Sequence, residues 1–521
     1  MGDTADGKTL PTEVDVIVVG SGAAALTGAY TAATRGMQVL VLEKAPVIGG
    51  ISAYSGAGIW LPGNAALRRA GVDDTVDAGV AYVRATVGDR TPRDLQETYV
   101  RTGPDLVEFL EADEAIEFAH HRFPDYFDAP GRALPDGRTI RPLPLAGNVL
   151  GERLTLIRPM IGADMFGLPE SRDLLDGGQA LIGRLLLALD GTGNADLRTQ
   201  CPMHSLVLTD GRVTGVVAGE GRESVTARSG VLLAAGGFEC DESRRREHHG
   251  LPGAAWTSSP VGSNTGDAME AARSVGAAVD LLDEAWWCPS VLFPSGHSVF
   301  ASIISGGIFV DPDGQRFANE SLPYDQMGHA LKQQYAKFGP EAEFWWIFDS
   351  RTESIPGFCG FSGPLPDATE FRAAGLWRSG RTPEELAERI GVPARNLRAT
   401  VDRFNEFSKV GFDSDFHRGE DDYDRFFGVG DGPNGVLVPL TEGDLHAVRI
   451  VLGDLGSKGG AVIDRDGRVL GDDGAPIPGL FAAGGSTASV AGHVYPGPGV
   501  PLGLGMVFGY RAASEMSASR Q

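Results

Sequence analysis

Residues 14–50 hold the feature that most narrows what this 521-residue chain can fold into. Val14-Asp15-Val16-Ile17-Val18-Val19 is a short β-branched run suited to a buried parallel strand. Gly20-Ser21-Gly22-Ala23-Ala24-Ala25 follows at once, a GxGxxA turn. In such a turn Gly20 permits the tight reversal and Gly22 lets the backbone approach a pyrophosphate. Ala25 is small enough for the following helix to pack on the strand. Residues 24–35 read as that helix, whose free N–H groups, with Ser21 and Ala24 in the same turn, face the phosphates. A second strand, Gln38 to Leu42, ends at Glu43, 23 residues after Gly20, where a carboxylate meets ribose hydroxyls. Strand, loop, helix, strand and acid in this order define a Rossmann-like unit and an α/β fold.

Lys44-Ala45-Pro46-Val47-Ile48-Gly49-Gly50-Ile51-Ser52 comes next. A second glycine pair just after the ribose carboxylate favours FAD over NAD, because more cofactor must be covered. Lys44, Gly49, Gly50 and Ser52 therefore join the expected cofactor contacts. This stretch resembles the FAD-binding half of the fumarate reductase and succinate dehydrogenase flavoprotein superfamily. Glycine totals 73 of 521 residues without a collagen period, which fits repeated close approach of backbone to a cofactor.

A chain this long suggests two domains. Asp176 to Leu189 reads as an amphipathic helix, and Ser205 to Leu208 with Val213 to Ala218 as a hairpin. Leu95 to Ala112 is helical, with a possible break at Gly103-Pro104. The stretch 121–170, rich in Pro and Gly, looks irregular. Two buried strands end in Ala-Ala-Gly-Gly, at 234–237 and 482–485. Both resemble the superfamily's later FAD contacts, which adds Ala235, Gly236, Gly484 and Gly485. The resulting reading is a discontinuous Rossmann-like FAD-binding domain, 1–283 and 445–521, with an inserted α+β catalytic domain, 284–444. A final helix, Leu504 to Ser517, would begin beside the flavin.

Net charge is −24, from 45 basic and 69 acidic residues, which argues against nucleic acid as a partner. No run reaches 18 apolar residues, so no transmembrane segment is expected. The first residues lack an apolar signal region. Cys201, Cys240, Cys288 and Cys359 have no paired spacing, which fits a reducing compartment without a disulfide framework. A cytoplasmic protein is expected, with peripheral membrane association left open. His120-His121 and His248-His249 lack a second cluster at ligand spacing, so no metal is expected.

Near the C-terminus stands Tyr495-Pro496-Gly497-Pro498-Gly499. A phenol followed by a stiff, glycine-bearing turn can aim one hydroxyl and one backbone N–H at the same oxygen. Loss of a proton α to a ketone needs such stabilisation of the growing enolate. Tyr495 hydroxyl and Gly499 N–H are the candidate donors, and Pro496 and Pro498 stiffen the turn between them.

Five blocks together look like 3-ketosteroid Δ1-dehydrogenases: Phe123 to Tyr126, Asp283 to Trp287, Asn319 to Asp325, Gly453 to Gly460 and Tyr495 to Gly499. The likeness spans nearly the whole chain. It implies removal of two hydrogens from carbons 1 and 2 of a 3-ketosteroid ring A, with hydride passing to non-covalent FAD and then to an external acceptor or quinone. It makes Tyr324 the base, at a loop leading into a helix. Tyr126 could donate a hydrogen bond to the Tyr324 anion and lower its pKa. Leu502 joins the flavin contacts by the same likeness. Trp286 and Trp287 read as packing rather than substrate contacts. The chain departs from the family pattern at Gly485, where Asn is usual, and over Pro501 to Met506, where Thr-Leu-Gly-Pro-Ala-Met is usual. Alternatives are a 3-ketosteroid Δ4-dehydrogenase and a fumarate reductase-like flavoprotein, for which Arg316 and His329 are the nearby cations. A flavin electron-transfer or binding subunit without substrate chemistry is a third.

Overall fold

The β-branched run 14–19 becomes the central strand of an eight-stranded sheet. In the computed structural model, which describes residues 9–251, 253, 255–301, 306–351, 368–426, 428, 430 and 433–519, strand Glu13–Val19 lies between two parallel neighbours. These are Val39–Leu42 on one side and Glu223–Leu233 on the other. Ala195–Arg198 and Pro476–Ala482 extend the parallel array outward. Val16, Ile17 and Val18 are wholly buried, as a strand covered on both faces requires. Strands at Glu13, Val39, Glu223 and Pro476 all end on one edge, at Gly20, Glu43, Ala234 and Ala483. Ligands bind at that edge in open α/β sheets. Helix Ala23–Thr34 packs on the C-terminal helix Val500–Ala518.

A second, six-stranded antiparallel sheet carries the other core. Its backbone is Ala285–Leu292 paired with Leu445–Ser457, which in turn pairs with Phe344–Asp349 and Trp377–Gly380. Trp287, Phe309, Phe344 and Trp346 are buried within it. Helix Tyr324–Phe338 lies on strand Ala285–Leu292, and Gly328 permits the contact: a Cβ there would stand 2.6 Å from the Trp287 carbonyl carbon. Strand Ala285–Leu292 begins just after position 284. Strand Leu445–Ser457, which the sequence reading assigned to the FAD-binding part from 445 on, pairs along its length with this second sheet.

The expected hairpin forms, as Met203–Thr209 against Arg212–Ala218, and the expected helix runs Gly177–Gly191. Helix Arg93–Glu111 runs unbroken through Pro104, so the expected break is absent; its buried face, from Leu95 to Leu110, holds it together. Region 121–170 is less irregular than its composition suggests. Phe118–His121, Thr139–Pro142 and Ile59–Trp60 form a small antiparallel sheet. The C-terminal helix starts at Val500, with Pro501 in its first turn, where a missing N–H costs no helical hydrogen bond. Cys201, Cys240 and Cys288 are free thiols, while Cys359 lies outside the described residues. No helix among the described residues is long and apolar enough to cross a membrane, and no trio of His, Cys, Asp or Glu among them could hold a metal.

Candidate active site

The strand ends described above open into a cleft lined by Gly20, Ser21, Gly22, Ala24, Glu43, Lys44, Gly49, Gly50, Ser52, Ala235, Gly236, Gly484, Gly485 and Leu502. Fourteen of the fifteen expected cofactor residues thus share one wall system. Ala25 does not; it is wholly buried in the core, where it serves packing of helix on sheet. The tight turn is built on Gly20, at φ +106°, where a Cβ would lie 2.3 Å from the Ala234 carbonyl oxygen. Ser21 Oγ donates to Glu43 at 2.5 Å and accepts from Gly49 N–H at 3.1 Å, tying both glycine turns to the acid. Helix Ala23–Thr34 has no acidic residue in its first turn and no side-chain cap, so its N-terminus suits a pyrophosphate. These features fit a dinucleotide flavin. Lys44 is engaged elsewhere, with Asp267 at 2.7 Å and Thr265 Oγ1 at 2.5 Å.

Sequence reading missed Asn264, Glu239 and Ser457 on the same cleft. Glu239 is buried and accepts from Ser259 Oγ and from the N–H and Oγ of Ser457. Its position just after Gly236-Gly237 was the available signal. The family departures find local partners. Gly505 packs against the cleft floor, where a Cβ would stand 3.1 Å from Ala24 Cβ and 3.4 Å from Gly484 Cα.

Ile51, Ser52, Leu455, Pro501 and Leu502 line both this cleft and a second cavity of about 440 Å³. The second cavity holds Tyr126, Tyr324, Tyr495 and Gly499 together. Residues from three distant stretches therefore meet in the cavity that adjoins the cofactor cleft. The three phenol rings are mutually edge-on, with centroids 5.3 to 5.5 Å apart: Tyr324–Tyr495 5.3 Å, Tyr126–Tyr495 5.4 Å and Tyr126–Tyr324 5.5 Å. Phe300 edges onto Tyr324 at 4.6 Å and Trp286 onto Tyr495 at 4.9 Å. Trp286 also lines the cofactor cleft, a contact beyond the packing expected of it.

Local hydrogen bonds fix the turn 495–499. The Pro496 carbonyl accepts from Tyr82 Oη at 2.6 Å and from Tyr126 N–H at 3.1 Å. The Pro498 carbonyl accepts from Thr139 Oγ1 at 2.6 Å. Gly499 sits at φ +100°, and a Cβ there would lie 2.3 Å from Gly58 C and O. Its N–H donates to Tyr495 Oη at 3.2 Å. The two expected donors therefore lie side by side, turned onto each other. Tyr126 is held by its neighbour Asp125, which accepts from Trp60 Nε1 at 2.7 Å and pairs with Arg138 at 3.3 Å.

Burial pushes the Tyr495 phenol up to about 12, against hydrogen bonds from Tyr324 and from Gly499 N–H. Burial pushes Tyr324 well above the ordinary phenol range, and Tyr126 and Tyr495 push it further in the same direction. The push from Tyr126 is thus upward, opposite to the lowering expected of it. Tyr324 is the first residue of its helix, after Pro323, as its sequence context indicated.

Behind the phenols lies a buried pair, Asp325 and Lys458, 3.6 Å apart. Burial raises the carboxyl and lowers the ammonium. Lys458 Nζ donates to the Val494 carbonyl at 3.1 Å and stands 4.5 Å over the Trp286 ring. The two cations considered for a dicarboxylate site lie outside the cavity. Arg316 pairs with Glu320 and Asp413, and His329 with Glu284. His121, Thr139 and Arg141 do line it and were not singled out as site residues; the small sheet that brings them there was read as irregular chain.

A backbone-built dinucleotide cleft that opens directly onto a phenol-lined cavity is the arrangement of a flavin-dependent oxidoreductase that works on a polarised carbonyl compound. Residues 15–502 match the FAD binding domain family. The chain belongs to the 3-oxosteroid 1-dehydrogenase family of these flavoproteins. It is 37% identical to a 3-oxosteroid 1-dehydrogenase of Rhodococcus opacus, over 97% of this chain and 99% of that one. It is also 37% identical to the 4-oxocyclohexanecarboxylate 2-dehydrogenase of Sinomonas cyclohexanicum, over 96% of this chain and 92% of that one. The crystal structure of a 3-ketosteroid Δ1-dehydrogenase from Sterolibacterium denitrificans, in complex with 1,4-androstadiene-3,17-dione, superimposes with a TM-score of 0.88 at 33% identity. That match covers 98% of this chain and 100% of that one.

Proposed function

We propose that this protein is an FAD-dependent enzyme that desaturates ring A of 3-ketosteroids between carbons 1 and 2. The observation that carries the reading is the pairing of Tyr495 Oη and Gly499 N–H, 3.2 Å apart, in the cavity that adjoins the cofactor cleft. A ketone oxygen entering there accepts both hydrogen bonds, and the same donors hold the enolate charge as it grows. Tyr324 removes the proton from carbon 2. Binding of the ketone turns Tyr495 toward the substrate oxygen and draws electron density off the Tyr324 site, so proton transfer follows polarisation. Tyr126 orients the Tyr324 hydroxyl. Bound FAD, held non-covalently, supplies the acceptor for the hydride from carbon 1. Phe300, Val299 and Ile161 exclude water from the reacting carbons.

Reoxidation falls to an external acceptor or a quinone, in the cytoplasm. Support for that compartment is the free state of the described cysteines. The equally similar relative that acts on 4-oxocyclohexanecarboxylate favours a second reading, in which the ketone belongs to a single ring; both readings use the same donors and base.

The test is anaerobic flavin reduction. A 3-ketosteroid should bleach the flavin and yield the 1,2-unsaturated product, while succinate should not. A flavin that no ring ketone reduces would exclude the reading in favour of an electron-transfer or binding subunit. Flavin that remains with acid-precipitated protein would refute non-covalent binding.

A further inference from the structure

The substrate cavity carries a cation that the proposed reaction does not use. Arg141 lines this cavity and not the cofactor cleft. It lies on strand Thr139–Pro142, two residues after Thr139, so both side chains project from one face of the strand. Thr139 Oγ1 donates to the Pro498 carbonyl, one residue before the Gly499 donor. His121, on the neighbouring strand, pairs with Thr139 in register and lines the same cavity. One face of the small sheet therefore runs from the ketone donors to a guanidinium. The strand separates Thr139 from Arg141 by about 7 Å, and the arginine side chain extends that span.

Arg141 is under-committed for a guanidinium in a cavity wall. Its Nε is buried with no hydrogen-bond partner among the described residues. Its ion pair is a long one, 3.5 Å from Nη2 to Asp176 Oδ2, and the Asp176 side chain is 59% exposed. Asp176 precedes helix Gly177–Gly191 and makes no capping hydrogen bond there, so nothing in the helix holds its carboxylate in place. Besides Arg141 and Asp176, which both line the wall, His121 is the remaining titratable non-phenolic group; burial first and Arg141 second hold it below the ordinary imidazole range, so it is a neutral donor near pH 7. The rest of the lining is apolar, phenolic, hydroxylic or backbone.

We propose that Arg141, with His121 beside it, receives a carboxylate carried by the substrate away from its ketone-bearing ring. The inference rests on the ring-ketone reading above and narrows its substrate class to keto acids. The carboxylate replaces the long contact to Asp176, whose side chain turns to solvent. A guanidinium offers paired donors that suit a carboxylate and find only a weaker, uncharged acceptor in the corresponding ester. Two carriers present this chemistry, a monocyclic keto acid and a steroid acid with the carboxylate on its far ring.

The holoenzyme is mixed anaerobically with matched pairs: 4-oxocyclohexanecarboxylate and its methyl ester, then 3-oxoandrost-4-ene-17-carboxylate and its methyl ester. Flavin reduction is followed against concentration. In at least one pair the acid should half-saturate at a concentration about tenfold to hundredfold below its ester. The pair that shows the preference identifies the carrier. Arg141→Gln should collapse that ratio toward one, and Arg141→Lys should restore part of it. Esters that match or outperform the acids in both pairs overturn the proposal, as does an acid preference that survives Arg141→Gln. Should the variants lose their flavin, the wild-type acid-to-ester ratio still decides. A wild-type flavin that no ring ketone reduces, ester or acid, is a failure of the underlying reading and is visible as such.

Discussion

The cofactor cleft and the substrate cavity share five wall residues yet are built on opposite principles. The cleft is backbone: glycine turns at Gly20, Gly49 and Gly484, strand ends and a helix N-terminus, with Ser21 and Glu43 tying the turns together. The cavity is side chain: three phenols from three remote segments, wedged edge to edge with Phe300 and Trp286. A backbone site distributes recognition over many weak contacts. A side-chain site concentrates it in a few groups, each of which carries chemistry. Substitutions should therefore cost far more in the cavity than in the cleft.

The sharpest test is Tyr324→Phe. Removing the base should slow flavin reduction by about 10²–10⁴-fold, with steroid affinity within about tenfold. Single-turnover stopped flow separates the two. Near-normal reduction would eliminate Tyr324 and leave the cavity without a base. Tyr126→Phe should cost less, because it orients Tyr324 without touching the proton.

Next comes the donor pair. Tyr495→Phe should lose about 3 kcal/mol of transition-state stabilisation and also weaken binding, since the oxygen accepts its hydrogen bond in both states. Gly499→Ala is the instructive companion, because it places a methyl group 2.3 Å from Gly58 backbone at a left-handed φ. At this one position the cavity is built like the cleft. If Ala is tolerated there with normal rates, the turn is looser than its hydrogen bonds indicate.

A smaller effect is read in the pH dependence of flavin reduction at saturating ketone. Burial raises the phenols, Tyr495 to about 12 and Tyr324 well above its ordinary value, so the ionised base is a minor species near neutrality. The rate should rise with pH, about tenfold per unit where the phenol must lose its proton before the step, with no plateau below about pH 10. A plateau near pH 7 would assign the base to a group of ordinary or lowered pKa.

The least effect belongs to the cleft. Glu43→Gln removes a charge from the ribose end but keeps the side chain's length and one acceptor. FAD affinity, measured by equilibrium release, should fall by no more than about tenfold. Outright loss of FAD would break the contrast drawn between the two regions.

That contrast also explains what the sequence revealed. The cleft was legible almost residue by residue, because a turn of given φ/ψ is encoded locally: Gly20, Gly22, Glu43 and Gly49 fall within 30 residues of one another. The cavity was legible only through resemblance for Tyr324 and Tyr126, since nothing in either segment announces a partner hundreds of residues away. Tyr495 and Gly499 are the intermediate case, four residues apart and readable as a turn. Three things stayed hidden. Sheet membership of Leu445–Ser457 depends on partners at 285–291, 344–349 and 377–380. Arg141 and His121 reach the cavity through a small sheet that Pro and Gly disguised. The upward push on the Tyr324 phenol from its burial and from Tyr126 and Tyr495 is a property of the assembled core.

The contact between Gly499 N–H and Tyr495 oxygen, 3.2 Å, makes the resting site its own placeholder. The Gly499 N–H that will grip the ketone is already latched, so an entering molecule gains only the difference between the bond it makes and the bond it opens. A carbonyl, which brings lone pairs and no hydrogen, suits that exchange. A molecule without such an acceptor opens the latch and gains no bond in return.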